Sequence, residues 1–212
     1  MKSNVIFWNI DTQVDFVMSN GKLPVPDAED IIPALKELTQ MAKENDIVVV
    51  NTCDWHNENT KEISESPDFI NTFPEHCMEN TSGACFITET NPENPYTINH
   101  GNETPYVPTM LEHRNIIIRK DKFDVFTGNG STEKVLNALK PKRVIVYGVA
   151  ENVCVNHAVI GLLKRGKEVY VVEEAIKGLP GIESPIERWK DDGAKIISLE
   201  EIDSIIKEQQ EV

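Results

Sequence analysis

Residues 143–173 read RVIVYGVAENVCVNHAVIGLLKRGKEVYVVE, and the reading of this stretch decides the fold class. Residues 143–148 (RVIVYG) are a short apolar run with β-branched side chains, the pattern of a strand buried on both faces. Residues 152–165 then place Val155, Val159 and Leu162 on one helical face, with Gly166 just past the expected end. Residues 168–173 (EVYVVE) return to a strand-like run. Strand, amphipathic helix and strand in this order form a crossover unit, which joins parallel strands.

The alternation continues outward in both directions. Upstream, residues 5–10 (VIFWNI), 47–51 (IVVVN) and 115–119 (NIIIR) read as strands. A helix with Asp27 as N-cap carries Ile31, Leu35, Leu38 and Ala42 at helical spacing, and another is expected over 132–139. Downstream come a helix over 186–192, a strand over 195–199 and a final helix over 200–210. The pattern predicts an α/β fold: a three-layer, doubly wound sheet, mostly parallel, of about six strands with helices on both faces. Residues 1–212 read as a single domain. Residues 52–108, rich in Asn, Pro, Thr and Glu, form a long excursion that is expected to build a site or serve as a lid.

Hydrophobic residues make up 40% of the 212 and charged ones 26%, the balance of an ordinary globular protein. A formal charge of −14 speaks against nucleic acid, because binding phosphates needs a basic face. No apolar run approaches the length of a membrane span, and the run at 5–10 is too short for a secretory signal. A cytoplasmic location follows as the expectation, and self-association is left open. Four cysteines without CxxC spacing, at 53, 77, 85 and 154, are expected to be thiols there.

In doubly wound sheets, ligands sit beyond the carboxyl ends of the strands. Cooperating groups should therefore each follow a strand. Asp11 follows the first strand, Asp54-Trp55-His56 the second, Lys120 the third and Cys154 the fourth. Cys154 lies at a strand-to-helix junction, where free N–H groups and the helix dipole favour a thiolate and can hold an oxyanion. That makes it the candidate nucleophile. Asp11 is the candidate general base, with Asp15 as a competing carboxylate and His157 as an alternative. Lys120 supplies a fixed positive charge, although Lys122 stands two residues away. Asp54, His56 and His76 suit a cation that takes nitrogen and oxygen, such as Zn²⁺ or Fe²⁺, with Glu62, Glu65 or water completing the shell. Cys53 and Cys77 flank them and leave a thiolate-containing structural site as the alternative. Phe16, Trp55 and Phe73 are candidates to line a flat pocket.

These residues resemble the isochorismatase-like cysteine hydrolases and, within them, the nicotinamidases. The resemblance covers most of the chain. It runs from residues 10–16 (IDTQVDF), similar to the family's D-x-Q-x-D-F opening, through Asp54-Trp55-His56 and Phe73-Pro74-Glu75-His76-Cys77. Residues 81–84, the Lys120 to Phe126 stretch and the segment from Gly148 to Val155 extend it. Departures fall at Phe73, where the family often has Trp, at Asn80 in place of a glycine, and at residues 88–102, which look like extra sequence. The resemblance implies a triad of Asp11, Lys120 and Cys154, and an oxyanion hole from the N–H groups of Ala150 and Cys154 with a cis peptide before the alanine. It also implies metal ligation by Asp54, His56 and His76, with Zn²⁺ (or Fe²⁺ or Mn²⁺) holding a substrate ring nitrogen. The activity implied is hydrolysis of a small amide, nicotinamide before all. An N-carbamoyl or other small amide is the alternative, and a flavodoxin-like or receiver-like binding module is the non-enzyme one.

Overall fold

The computed structural model describes residues 4–101 and 104–207. Among them the apolar runs become β1 (Val5–Ile10), β2 (Val49–Asp54), β3 (Tyr96–Ile98), β4 (Asn115–Lys120), β5 (Arg143–Val149), β6 (Glu168–Lys177) and β7 (Lys195–Ile197). They form one sheet in the order β3-β4-β2-β1-β5-β6-β7, and every pairing is parallel. The sheet thus has seven strands rather than about six. The additional one, β3, is three residues long and sits inside the 52–108 excursion, where so short a run carries no readable period.

The helices are α1 (Val14–Val17), α2 (Ile32–Glu44), α3 (Val107–Met110), α4 (Val125–Gly128), α5 (Thr132–Leu139), α6 (Asn156–Lys164), α7 (Ile186–Asp191) and α8 (Ile202–Lys207). Strand alternation divides the core between the two faces. Phe7, Ile145 and Tyr147 point to the side covered by Leu35 and Leu38 of α2 and Ile202 of α8. Ile6, Trp8, Val144 and Val146 point to the other, against Leu136 of α5, Val159 and Leu162 of α6 and Trp189 of α7. Each fully buried Leu there contributes about 2 kcal/mol by removal from water.

Two helix starts differ from expectation. Asp27 makes no side-chain cap and has φ of 59°; a single turn at Ala28–Ile31 intervenes, and α2 starts at Ile32 with a proline in its first turn, where proline's fixed φ suits a helix start. Residues 152–155 belong to a widened π turn, Glu151–Val155, so that regular helix begins only at Asn156. The expected final helix is seen as α8, led by a capping box between Ser198 and Glu201; residues 208–210 lie outside the described residues. No helix of the described residues is long and apolar enough to cross a membrane.

β1 lies between β2 on one side and β5 on the other, so the chain reverses its direction of progress across the sheet at this point. That is where a crevice opens at the carboxyl edge. Gly148 allows the close approach: it has φ of +124°, and a Cβ there would lie 2.0 Å from the Ile10 carbonyl oxygen.

Candidate active site

Asp11, Asp54, Lys120 and Cys154 converge at this edge. Strand register explains how. Asp54 and Lys120 are partners across β2 and β4, while Ile10 is paired with both Thr52 and Gly148, so the residues that follow β1 and β5 emerge side by side. Lys120 is 1% exposed, and its Nζ lies 2.9 Å from Asp11 Oδ2, in short contact with Asp54 Oδ1, and 3.6 Å from Cys154 Sγ. The donor atoms of Asp11, Asp54 and Cys154 all fall within 4.8 Å of one another. Thr52 Oγ1 donates to Asp11 Oδ1 at 2.7 Å and fixes that carboxylate.

The electrostatics follow from burying one ammonium between two carboxylates. Burial opposes charge on Lys120, but Asp11 and Asp54 outweigh it and hold the ammonium well above its usual range. Burial likewise opposes charge on Asp54, yet Lys120 first and then the neighbouring imidazoles of His56 and His76 keep it well below the usual carboxylate range. Asp11 is raised, because burial and the charge of Asp54 outweigh Lys120. Burial also raises Cys154 well above an ordinary thiol; Lys120 opposes this, and Asp11 and Asp54 add to it. The expectation of a thiolate at a helix start is therefore corrected. The thiol form is favoured, because desolvation and two nearby carboxylates outweigh Lys120.

A second cluster adjoins the first through Asp54. His56 Nε2 and His76 Nε2 lie 3.7 and 3.8 Å from Asp54 Oδ2, and the donor atoms of the three residues fall within 4.8 Å of one another. Their segments are paired directly: His56 N donates to Cys77 O at 3.1 Å, and Glu79 N to His56 O at 2.8 Å. Both ring nitrogens of His56 are buried without a hydrogen-bond partner. His76 Nδ1 lies 2.7 Å from the Pro74 carbonyl and must donate to it, which leaves Nε2 with a free lone pair. Orphaned imidazole nitrogens facing a shared carboxylate oxygen are the donor set of a zinc-type site, so these residues fit such an ion. Of the two further carboxylates, Glu62 is buried with Oε2 unpartnered, while Glu65 is exposed. Cys53 and Cys77 do not join the cluster. Cys53 and Asp54 are consecutive in β2 and point to opposite faces, and all four cysteines are free thiols.

The remaining candidates separate cleanly. Asp15 is engaged elsewhere, accepting from the N–H groups of Cys77 and Lys22. Lys122 is exposed, and His157 lies on the exposed side of α6 with its ring stacked on Phe123. Phe16 and Phe73 line a pocket of about 400 Å³, open to solvent, with Cys154 and Ala150 in its wall and Asp54 and His76 beside them. Trp55 is absent from this lining; Arg119 stacks over its ring at 3.5 Å. Phe123, Leu23, Val25, Val153 and Leu179 complete the wall and were not foreseen. Phe123 lies three residues past Lys120, and that proximity was the one available signal. The Val149–Ala150 peptide is cis, as the resemblance implies.

Comparison with known proteins adds a separate line. The model of the isochorismatase domain family matches residues 5–201. The nicotinamidase of Escherichia coli (strain K12) is 24% identical over 187 residues, covering 80% of this chain and 81% of that protein. The structure of the pyrazinamidase of Pyrococcus horikoshii in complex with zinc superposes with a TM-score of 0.72 at 31% identity, over 92% of this chain and 99% of that one. The N-carbamoylsarcosine amidase of Thermoplasma acidophilum shares the fold, with a TM-score of 0.69 at 20% identity over 93% of this chain and 96% of that one.

Proposed function

The chain belongs to the isochorismatase domain family, and from that premise we propose that it is a cysteine-dependent amidohydrolase for a small, neutral aromatic amide, nicotinamide before all others. Membership in a hydrolase family sets aside the flavin-binding and receiver-like alternatives. The observation that carries the substrate class is the chemistry of the pocket wall. Besides Cys154, Asp54 and His76, the wall is made of apolar side chains, among them Phe16, Phe73 and Phe123, and among the described residues it holds no lysine or arginine. Lys120, the buried cation beside it, is committed to two carboxylates. A flat ring gains from such a wall, whereas the carboxylate of an N-carbamoyl amino acid would meet no cationic side chain in it.

In this reading Asp11 takes the proton of Cys154 as Sγ attacks the amide carbonyl carbon. The N–H groups of Ala150 and Cys154 hold the oxyanion, each such donor being worth about 3 kcal/mol. Asp11 then passes the proton to the departing nitrogen, the C–N bond breaks, ammonia leaves and a thioester remains. Asp11 next deprotonates a water that attacks the thioester, and the proton returns to the thiol as the acid is released. Lys120 keeps the charge of Asp11 compensated throughout. Asp54, His56 and His76 would hold a zinc, Fe²⁺ or Mn²⁺ ion, whose contribution when bound is a Lewis-acid position for a ring nitrogen. The reading also takes residues 1–212 as one cytoplasmic hydrolase domain, with residues 52–108 as its site-building segment.

Ammonia release from nicotinamide and from N-carbamoylsarcosine, with and without a chelator, tests this. Nicotinamide is expected to be turned over, and Cys154→Ala to abolish turnover while leaving thermal unfolding cooperative. Turnover retained by Cys154→Ala, or a preference for the N-carbamoyl compound, refutes it.

A further inference from the structure

We infer that Gln13 and Asp15 are positioning residues that set the mutual placement of Asp54, His56 and His76. The inference rests on the metal reading above. Asp54 ends a strand, whereas His76 lies in a loop without regular structure, so apart from the backbone pairing of His56 with Cys77 and Glu79 their separation is held by side chains. The side-chain amide of Gln13 grips the Asp54 residue at both of its backbone groups: Nε2 donates to Asp54 O at 2.8 Å, and Oε1 accepts from Asp54 N at 2.8 Å. The same Nε2 donates to Ala84 O at 2.9 Å and draws in the loop that follows His76. Two residues on, Asp15 Oδ2 accepts from the N–H of Cys77, the neighbour of His76, at 2.7 Å. Its other oxygen accepts from Lys22 N at 3.0 Å. Gly83 lies flat against this carboxylate, and a Cβ there would come within 2.2 Å of Asp15 Oδ2.

Gln13 and Asp15 are buried, and neither belongs to the Asp54–His56–His76 group itself. They act through the backbones that carry the ligands. Alternate residues of one short segment thus divide the work: Asp11 enters the charged cluster, Gln13 holds Asp54, and Asp15 holds the end of His76. Metal ligands must stand within about 0.2 Å of ideal distances, so a loop displaced slightly keeps its fold and loses its ion. Groups that orient ligands from behind typically change metal affinity 10- to 100-fold.

Asp15→Asn and Gln13→Glu keep the side-chain shapes while removing one acceptor and the shared donor respectively. Zinc affinity is measured by competition with a chromogenic chelator, together with the visible spectrum of the cobalt-substituted protein and thermal unfolding of the metal-free form. Expected are zinc affinities about 10- to 100-fold weaker and altered cobalt bands, with unfolding still cooperative. Cooperative variants that bind zinc within twofold of wild type, with unchanged cobalt bands, overturn the inference alone. A wild-type protein that takes up no zinc overturns the metal reading and this inference with it. Should neither variant unfold cooperatively, amide exchange in metal-free wild type decides. Protected Asp54 and Cys77 amides are expected of a preformed site, and amides that exchange freely until zinc is added overturn it.

Discussion

Replacing Lys120 by methionine removes one charge while nearly preserving volume, and it tests the electrostatic account of the site directly. The ammonium is buried, 2.9 Å from Asp11 Oδ2 and in short contact with Asp54. At an effective dielectric constant near 20, one such contact corresponds to about 6 kcal/mol, part of which offsets the desolvation of the ions. Removing one member of a buried ion cluster leaves the others uncompensated and costs about 3–5 kcal/mol. For a chain of this size that lowers Tm by roughly 6–20 °C. The pH dependence has a defined sign. Lys120 is held above its ordinary value, so its contribution is complete below about pH 10 and is lost only as pH rises through the raised value. Asp54 is held below its ordinary value, so its contribution is present above about pH 4 and is lost as pH falls through the depressed value. Wild-type stability should therefore vary little from these two groups near neutrality. In Lys120→Met both carboxyls rise, one takes up a proton in mild acid, and the deficit shrinks as pH falls from 8 toward 5. Chemical denaturation of metal-free wild type, Lys120→Met, Asp11→Asn and the double variant measures all of this. The double variant should recover more than about 1 kcal/mol relative to additivity. A Lys120→Met deficit under about 1 kcal/mol at pH 7, or strict additivity, would refute the reasoning.

Other consequences are as specific. Burial and the charge of Asp54 push Glu62 up to about 7, so its unfavourable ionisation in the fold develops as pH rises from about 4.5 to 7. Metal-free Glu62→Gln should match wild type near pH 5 and exceed it by roughly 1–2 kcal/mol near pH 8, after allowance for partial screening; an equal difference at both pH values contradicts this. Gly148→Ala places a methyl group 2.0 Å from the Ile10 carbonyl oxygen, so strong destabilisation is expected, and a variant that unfolds at the wild-type temperature would contradict the described approach. Phe73 meets Phe123 edge-on at 5.6 Å in the pocket wall. Phe73→Ala should raise KM for nicotinamide about tenfold while leaving the rate of Cys154 alkylation near wild type; an unchanged KM removes Phe73 from the substrate site.

The local pattern of side chains was enough to determine the layered parallel fold and the four strand ends where chemistry gathers. Val155, Val159 and Leu162 repeat at helical spacing, and strands buried on both faces must be continuously apolar, so periodicity reports burial without any knowledge of what does the burying. The identity of the short β3 was not legible, nor was the direction taken by Trp55, because three residues carry no period and a half-buried indole suits a pocket and a cation equally. Only the tertiary structure shows that Asp11 rather than Asp15, and Lys120 rather than Lys122, lies beside Cys154, and that Glu62 is buried while Glu65 is exposed, since each pair differs in where the backbone points and not in residue type. It alone assembled Leu23, Phe123 and Leu179 into one wall and turned Cys154 from an expected thiolate into a buried thiol. Desolvation and Coulomb forces depend on distances across the fold, and those are set by strand register between segments as far apart as Asp11 and Cys154.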